Sequence, residues 1–326
     1  MPARADVLLV SLGSTAGLRA SDAAFAAALR RAGAHVEVVA AARRRQVRTL
    51  ALTDFAWAHA ARVAAVEGMR RYAPRATVYS TIGAALLWPR PGAIRYDAPA
   101  AANRPGHHGI WQRPVERRRL REAPLLVPVA DGTLAETPSP HAPAVVVPIA
   151  VEASPDAGAP RDISAITYAA DPWKKGLDRV LAAWSAARRD GEELVVAGTD
   201  APVDTAGVRV AGRLEPAAYR ALLRRARVFV TAPRREDYGL AQLEALADGC
   251  LLVTTPAPGP YAALPIARQL DPRLVGEDLA GALRAALDAP RAGYAQEAAA
   301  ALAPFSVAAV DEVVARELLP RLLRAG

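Results

Sequence analysis

Two glutamates, Glu236 and Glu244, stand eight positions apart, with Asp237-Tyr238-Gly239-Leu240 directly after the first. The apolar run Val228–Thr231 reads as a strand and Leu240–Ala247 as a helix. Glu236 then falls in a strand-to-helix loop, and Glu244 lies within about two turns of the helix start. Gly239 lets a ligand approach the backbone closely. The first helical turn offers unpaired N–H groups and the positive end of the helix dipole, which suit a phosphate. One carboxylate can then meet a sugar hydroxyl and the other a ribose hydroxyl, with phosphates between them. Lys175, beside Gly176 in another strand-to-helix loop, supplies a fixed cation. Breaking a sugar–phosphate bond leaves growing negative charge on the diphosphate, and a cation there lowers the barrier. The adjacent Lys174 is expected to face solvent.

These residues need two doubly wound domains to position them. The chain has 326 residues, which suits two domains of about 150 residues each. Strands are expected at Val7–Ser11, His35–Val39, Thr77–Ser80, Ala93–Tyr96 and Leu125–Val129. Helices are expected between them, one capped by Ser21 and stopped by Gly33, another capped by Asp54. Proline and small residues cluster over Thr137–Pro160, interrupted by the strand Val145–Ile149, and the domain boundary is placed near 150. A second series follows: strands at Ile163–Tyr168, Leu194–Val196, Val208–Val210, Val228–Thr231 and Leu251–Thr254. Its helices are Leu177–Arg189, Ala217–Arg225, Leu240–Ala247, Asp278–Ala289 and Val307–Arg324. The alternation implies parallel sheets with helices on both faces. The fold class is α/β, two Rossmann-like domains of residues 1–150 and 151–326, with the cleft between them as the expected site.

Glu236–Gly249 reads E-D-Y-G-L-A-Q-L-E-A-L-A-D-G. It resembles the E-G-F-G-L-x-x-x-E-A-x-A-x-G segment of the retaining glycosyltransferases of family 4, which have the GT-B architecture. Lys175-Gly176-Leu177-Asp178 is similar to that family's K-G-x-D. Val195–Gly198 and Val210–Gly212 with Arg213 resemble its next two strands and their glycines. The resemblance covers residues 145–280; the first half is similar only in pattern. It implies transfer of a hexose-type sugar from a nucleoside diphosphate to an acceptor hydroxyl, with retention. Glu236 would contact the donor sugar, Glu244 the ribose and Lys175 the diphosphate. Gly17, Gly198, Arg213, Tyr238, Gly239 and Leu240 would line the donor, and Tyr96, Asp97 and His107 the acceptor. The last helix would return to the N-terminal domain.

The sequence departs from the family at two places. An arginine usual five residues before the lysine is Ala170 here, which leaves Lys174, Arg213 and Arg234 as alternatives for the second cation. Tyr96-Asp97 replaces the usual His-Asp. Two other readings of the same fold stay open: a sugar-nucleotide epimerase or inverting transferase, and a non-catalytic sugar-nucleotide-binding relative.

Composition excludes several classes. The one cysteine, Cys250, rules out an internal disulfide or a cysteine-based zinc site. A reducing, cytoplasmic setting fits, at the inner face of a membrane or free of it. No apolar stretch of about 18 residues appears, and the start lacks the apolar core of a signal peptide. Gly13 and Gly17 do not form a dinucleotide fingerprint, and no phosphate-loop sequence occurs. No D-x-D occurs, which favours neutralisation by Lys175 and backbone donors over a divalent metal; neither metal nor cofactor is expected beyond the sugar-nucleotide donor. His107 and His108 lack a third metal ligand at suitable spacing.

The formal charge is +8, carried almost wholly by arginine. Arg43-Arg44-Arg45 with Arg48, and Arg117-Arg118-Arg119 with Arg121, form clusters in the first half. They suit a solvated face, an anionic acceptor, or a membrane carrying a lipid-linked acceptor. No nucleic-acid module accompanies them. The partners expected are a sugar nucleotide and a glycan, lipid-linked or small-molecule acceptor.

Overall fold

The computed structural model describes residues 4–43, 48–104, 106–138, 142–155 and 160–325. The chain divides into two compact units, Met1–Ala150 with Val307–Gly326, and Val151–Ser306.

In the first unit, β1 (Val7–Ser11), β2 (Val36–Ala40), β3 (Ala76–Tyr79), β4 (Ala93–Tyr96) and β5 (Leu126–Pro128) form one parallel sheet in the order β2-β1-β3-β4-β5. Every residue of β1, β3, β4 and β5 is buried, whereas the edge strand β2 alternates. That contrast is expected of a parallel sheet covered on both faces. The helices are α1 (Ala16–Arg31), α2 (Leu50–Tyr72), α3 (Ile82–Ala85), α4 (Ala100–Asn103), α5 (Gln112–Glu122) and α6 (Asp131–Ala135).

Two expected caps are corrected. α1 starts before Ser21, because the Thr15 hydroxyl accepts from Leu18 N at 3.2 Å. Ser21 is interior and accepts from Arg95 Nη2 at 2.9 Å. α2 starts at Leu50 with Thr49 as its cap, and Asp54 instead takes the Arg104 guanidinium at 2.8 and 3.2 Å. Val145–Ile149 forms no strand: Val145 N and Val147 N donate to Leu126 O and Pro128 O, but the pairing with β5 amounts to an isolated bridge, Leu126 with Ala144.

In the second unit, β6 (Ile163–Tyr168), β7 (Leu194–Ala197), β8 (Val208–Gly212), β9 (Ala226–Thr231) and β10 (Leu251–Thr254) give a parallel sheet in the order β10-β9-β6-β7-β8. Ile166 pairs with Phe229 on one side and Val195 on the other. The helices are α7 (Leu177–Ala187), α8 (Pro216–Arg225), α9 (Leu240–Ala247), α10 (Ala263–Leu270), α11 (Leu279–Asp288) and α12 (Tyr294–Ala301). α7 buries Leu177, Val180, Ala183, Trp184 and Ala187, a stripe at helical spacing.

The chain ends in α13 (Val307–Val313) and α14 (Leu319–Ala325), joined by a π-helical stretch over Val314–Leu318. Pro320 has no N–H and crowds the carbonyl four residues back, and the widened turn accommodates it. Val310, Val314, Leu318 and Leu322 join the core of the first unit with Phe25, Leu29 and Val127. No helix among the described residues is long and apolar enough to cross a membrane.

Candidate functional site

In the second unit the first strand, β6, lies between β7 and β9. The chain leaves β6 toward one edge and leaves β9 toward the other, so the loops after these two strands diverge. In open α/β sheets that switch point, outside the carboxyl ends of the strands, is where ligands bind. Residues 169–176 form one wall and residues 232–239 the other.

Local chemistry shapes each wall. Asp171-Pro172 starts a tight turn: Asp171 Oδ1 accepts from Lys174 N at 3.0 Å, and its carbonyl accepts from Lys175 N at 2.9 Å. Gly176 closes the turn at φ 65° and abuts the Ala232 carbonyl of the other wall. Arg234 N donates to Lys174 O at 2.9 Å, a second tie across the crevice. Gly239, at φ 88°, turns the chain into α9, whose first turn no side chain caps. Its Cα faces the Tyr261 ring, where a Cβ would lie 3.0 Å away.

The charged residues meet in two ion pairs. Lys175 Nζ donates to Glu236 Oε2 at 2.6 Å, and Lys174 Nζ to Asp237 Oδ2 at 2.5 Å. Lys174 is thus held by a carboxylate rather than standing free in solvent. Gln242 Nε2 adds a bond to Glu236 Oε2 at 3.0 Å, while Gln242 Oε1, buried, has no partner among the described residues. Arg235 Nε bonds the other oxygen of Asp237 at 2.8 Å. Burial works against the Asp237 charge, but Lys174 and Arg235 outweigh it and hold its carboxyl below the ordinary range.

Glu244 sits farther along α9, its side chain 25% exposed. Burial, reinforced by the Asp248 charge, raises its carboxyl from 4.5 to about 6, although Arg220 pulls the other way. Arg220 Nη1 is 3.9 Å from Glu244 Oε1 but is committed to Asp248, at 2.6 and 2.8 Å. Tyr168 at the end of β6 and Tyr219 on α8 stack beside this group, ring centroids 5.2 Å apart. Gly198, after β7, lies against the Tyr168 ring.

A stability prediction follows from Glu244. Its folded value lies above the ordinary 4.5, so the native state holds the proton more tightly between pH 4.5 and about 6. Stability is therefore lost as pH rises through that window, by roughly 1–2 kcal/mol at neutral pH. Glu244→Gln removes the cost. Its melting temperature should exceed that of the wild type at pH 8 and match it at pH 4.5; an equal difference at both pH values would sink this account.

The structure brings Lys175, Glu236, Tyr238, Gly239 and Leu240 together at the crevice and sets Glu244 and Gly198 along its extension. Tyr238 is buried, and its carbonyl accepts from Ala262 N at 2.9 Å. Arg213 follows the edge strand β8, its side chain 75% exposed and 3.4 Å from Asp200. Arg234 is locked on Asp178 at 2.9 and 2.7 Å and lies over the Trp173 ring. Sequence reasoning missed Asp237, Gln242, Arg220, Tyr168 and Tyr261. Tyr168 had a signal, since it ends a strand at the crest.

The other candidates lie in the first unit. Gly17 is in the first turn of α1 with open space around it. Tyr96 is buried, its hydroxyl 2.8 Å from Thr137 Oγ1, and burial pushes it up to about 12. Its side chain is spent inside the unit. Asp97 caps Ala98 N at 2.9 Å. His107 is exposed and stacks on His108 at 4.1 Å. Arg118 and Arg119 pair with Glu122, and Arg119 lies over Trp88. Arg44 and Arg45 fall outside the described residues. No group of three or more metal-ligating side chains occurs among the described residues.

Residues 162–288 match the family model of the group 1 glycosyl transferases. No curated protein matches the chain in sequence. Among solved structures, sucrose-phosphate synthase from Thermosynechococcus elongatus superposes with a TM-score of 0.75 at 16% identity, over 98% of this chain and 99% of that one. WaaG, a glycosyltransferase involved in lipopolysaccharide biosynthesis, gives 0.69 at 15% identity, over 95% and 98%. HepE from Anabaena, in complex with UDP and glucose, gives 0.69 at 12% identity, over 97% and 99%. The fold is that of the GT-B glycosyltransferases. Residues 162–288, which match that family model, contain Lys175, Glu236 and Glu244.

Proposed function

We propose that the protein is a retaining glycosyltransferase. It takes a hexose-type sugar from a nucleoside diphosphate and passes it to an acceptor hydroxyl without a metal. The Lys175–Glu236 pair at the mouth of α9, with Glu244 farther along the same helix, carries the reading. Glu236 holds donor-sugar hydroxyls, and Gly239 and Leu240 offer N–H groups to the diphosphate. Lys175 stabilises charge on the leaving phosphate, and Glu244, once ionised, accepts from the ribose.

In the reaction the bond between the sugar's anomeric carbon and the phosphate oxygen breaks. A bond from the acceptor oxygen to that carbon forms on the same face. The acceptor's proton passes to the departing phosphate oxygen. Both carboxylates of the loop are ion-paired, Glu236 with Lys175 and Asp237 with Lys174. That arrangement suits holding hydroxyls rather than attacking carbon. The UDP and glucose in the HepE complex support a nucleoside-diphosphate-hexose donor.

The test follows release of nucleoside diphosphate from UDP-, GDP- and ADP-hexoses across a panel of monosaccharide, sugar-phosphate and lipid-linked acceptors, with proton NMR of the product. An α-linked donor should give an α-linked product. A β-linked product, or epimerised donor without transfer, would contradict the proposal.

A further inference from the structure

A nucleoside diphosphate brings several negative charges to the crevice, and Lys175 already shares its charge with Glu236. A second cation is needed, and Ala170 supplies none. The cations of this face differ in what they are free to do. Arg234 is bidentate on Asp178, bonded to Trp173 O and stacked on the Trp173 ring. Arg213 follows β8, two strands from β6, and is 75% exposed with its guanidinium 3.4 Å from Asp200. Arg235 is turned onto Asp237, its side chain only 17% exposed.

Lys174 differs from these. Its ammonium is on the same turn as Lys175, bound through one contact to Asp237 Oδ2, with 32% of its side chain exposed. An ammonium has three N–H donors, so two remain for a ligand. Asp237 is itself buried and braced by Arg235, and it fixes the lysine without closing it off. Lys174, Lys175 and Arg235 together outnumber Glu236 and Asp237 by one positive charge, at the positive end of α9.

We infer that Lys174, positioned by Asp237, is the second phosphate-binding cation of this site and stands in for the arginine absent at Ala170. The inference rests on the reading of the crevice as a nucleoside-diphosphate pocket.

Calorimetric titration of the full chain with UDP and UMP, or with the guanine or adenine pair if the wild type prefers it, separates the two ideas. Lys174→Ala should weaken the diphosphate at least about tenfold, the worth of one charge-assisted bond, and leave the monophosphate within about twofold. Lys174→Gln keeps a hydrogen bond to Asp237 without the charge and should lose as much. Lys174→Arg should retain binding, and Ala170→Arg should restore it to Lys174→Ala. An unchanged diphosphate affinity in Lys174→Ala, or equal loss of mono- and diphosphate, overturns the role of Lys174 alone. A wild type that binds no diphosphate overturns the pocket as well.

Discussion

Lys175→Ala should lower the transfer rate about 10²–10³-fold, the usual consequence of removing one donor aimed at charge that develops in the transition state. The ammonium is 2.6 Å from Glu236 Oε2 with 20% of its side chain exposed, so it can turn its remaining protons to a leaving phosphate. The fall should appear mainly in kcat, because the charge on the diphosphate grows as the glycosidic bond breaks. The same change leaves Glu236, 6% exposed at its side chain, with Gln242 as its side-chain hydrogen-bond partner among the described residues. Breaking a buried pair this way costs about 3 kcal/mol. The double variant Lys175→Ala with Glu236→Gln discharges the stranded carboxylate and should recover stability without recovering rate. A single variant that keeps its rate within about threefold would remove Lys175 from the chemistry.

Gly176→Ala should destabilise the second unit by about 3 kcal/mol or more, from a left-handed backbone and a steric collision together. The residue has φ 65°, and an added Cβ would lie 1.9 Å from the Ala232 carbonyl oxygen. That oxygen is backbone from the opposite wall, so relief requires the two loops to part. For a unit of this size the melting temperature should drop by roughly 6–12 °C. Lys175 is the neighbouring residue, so activity should fall too. Gly17→Ala is the control: it sits in the first turn of α1 with nothing within 4 Å of a Cβ. It should be neutral or raise stability by about 0.5–1 kcal/mol. Equal melting temperatures for Gly176→Ala and the wild type would show that the walls are not pinned at Gly176.

Much of the second unit was legible because its signals are local. Ile163–Tyr168, Leu240–Ala247 and Leu251–Thr254 are short apolar runs or helical stripes bounded by glycine or proline, and they form where expected. The loop pairing was harder. That Lys175 meets Glu236 depends on β6 and β9 being neighbours, a tertiary fact that no window of sequence contains. Lys174 looked like a surface lysine because its partner, Asp237, is 63 positions away. Ser21 and Asp54 are good caps by type, yet each is drawn off by a distant arginine while a threonine upstream takes the helix start. Val145–Ile149 has strand composition, yet its pairing with β5 goes no further than an isolated bridge, Leu126 with Ala144. The resemblance set Tyr96 at the acceptor, but Thr137 claims its hydroxyl.

The central claim is that the crevice between the β6 and β9 loops is a nucleoside-diphosphate-sugar site running from Glu236 to Glu244. Its most direct test is isothermal titration of the full chain with UDP-, GDP- and ADP-glucose at pH 7.5, repeated with Glu244→Gln and with Lys175→Ala. One of the three should bind, more weakly in each variant. Wild-type affinity should also fall as pH drops through about 6, where Glu244 takes up its proton. No binding by any of the three, or binding that neither substitution weakens, would contradict it.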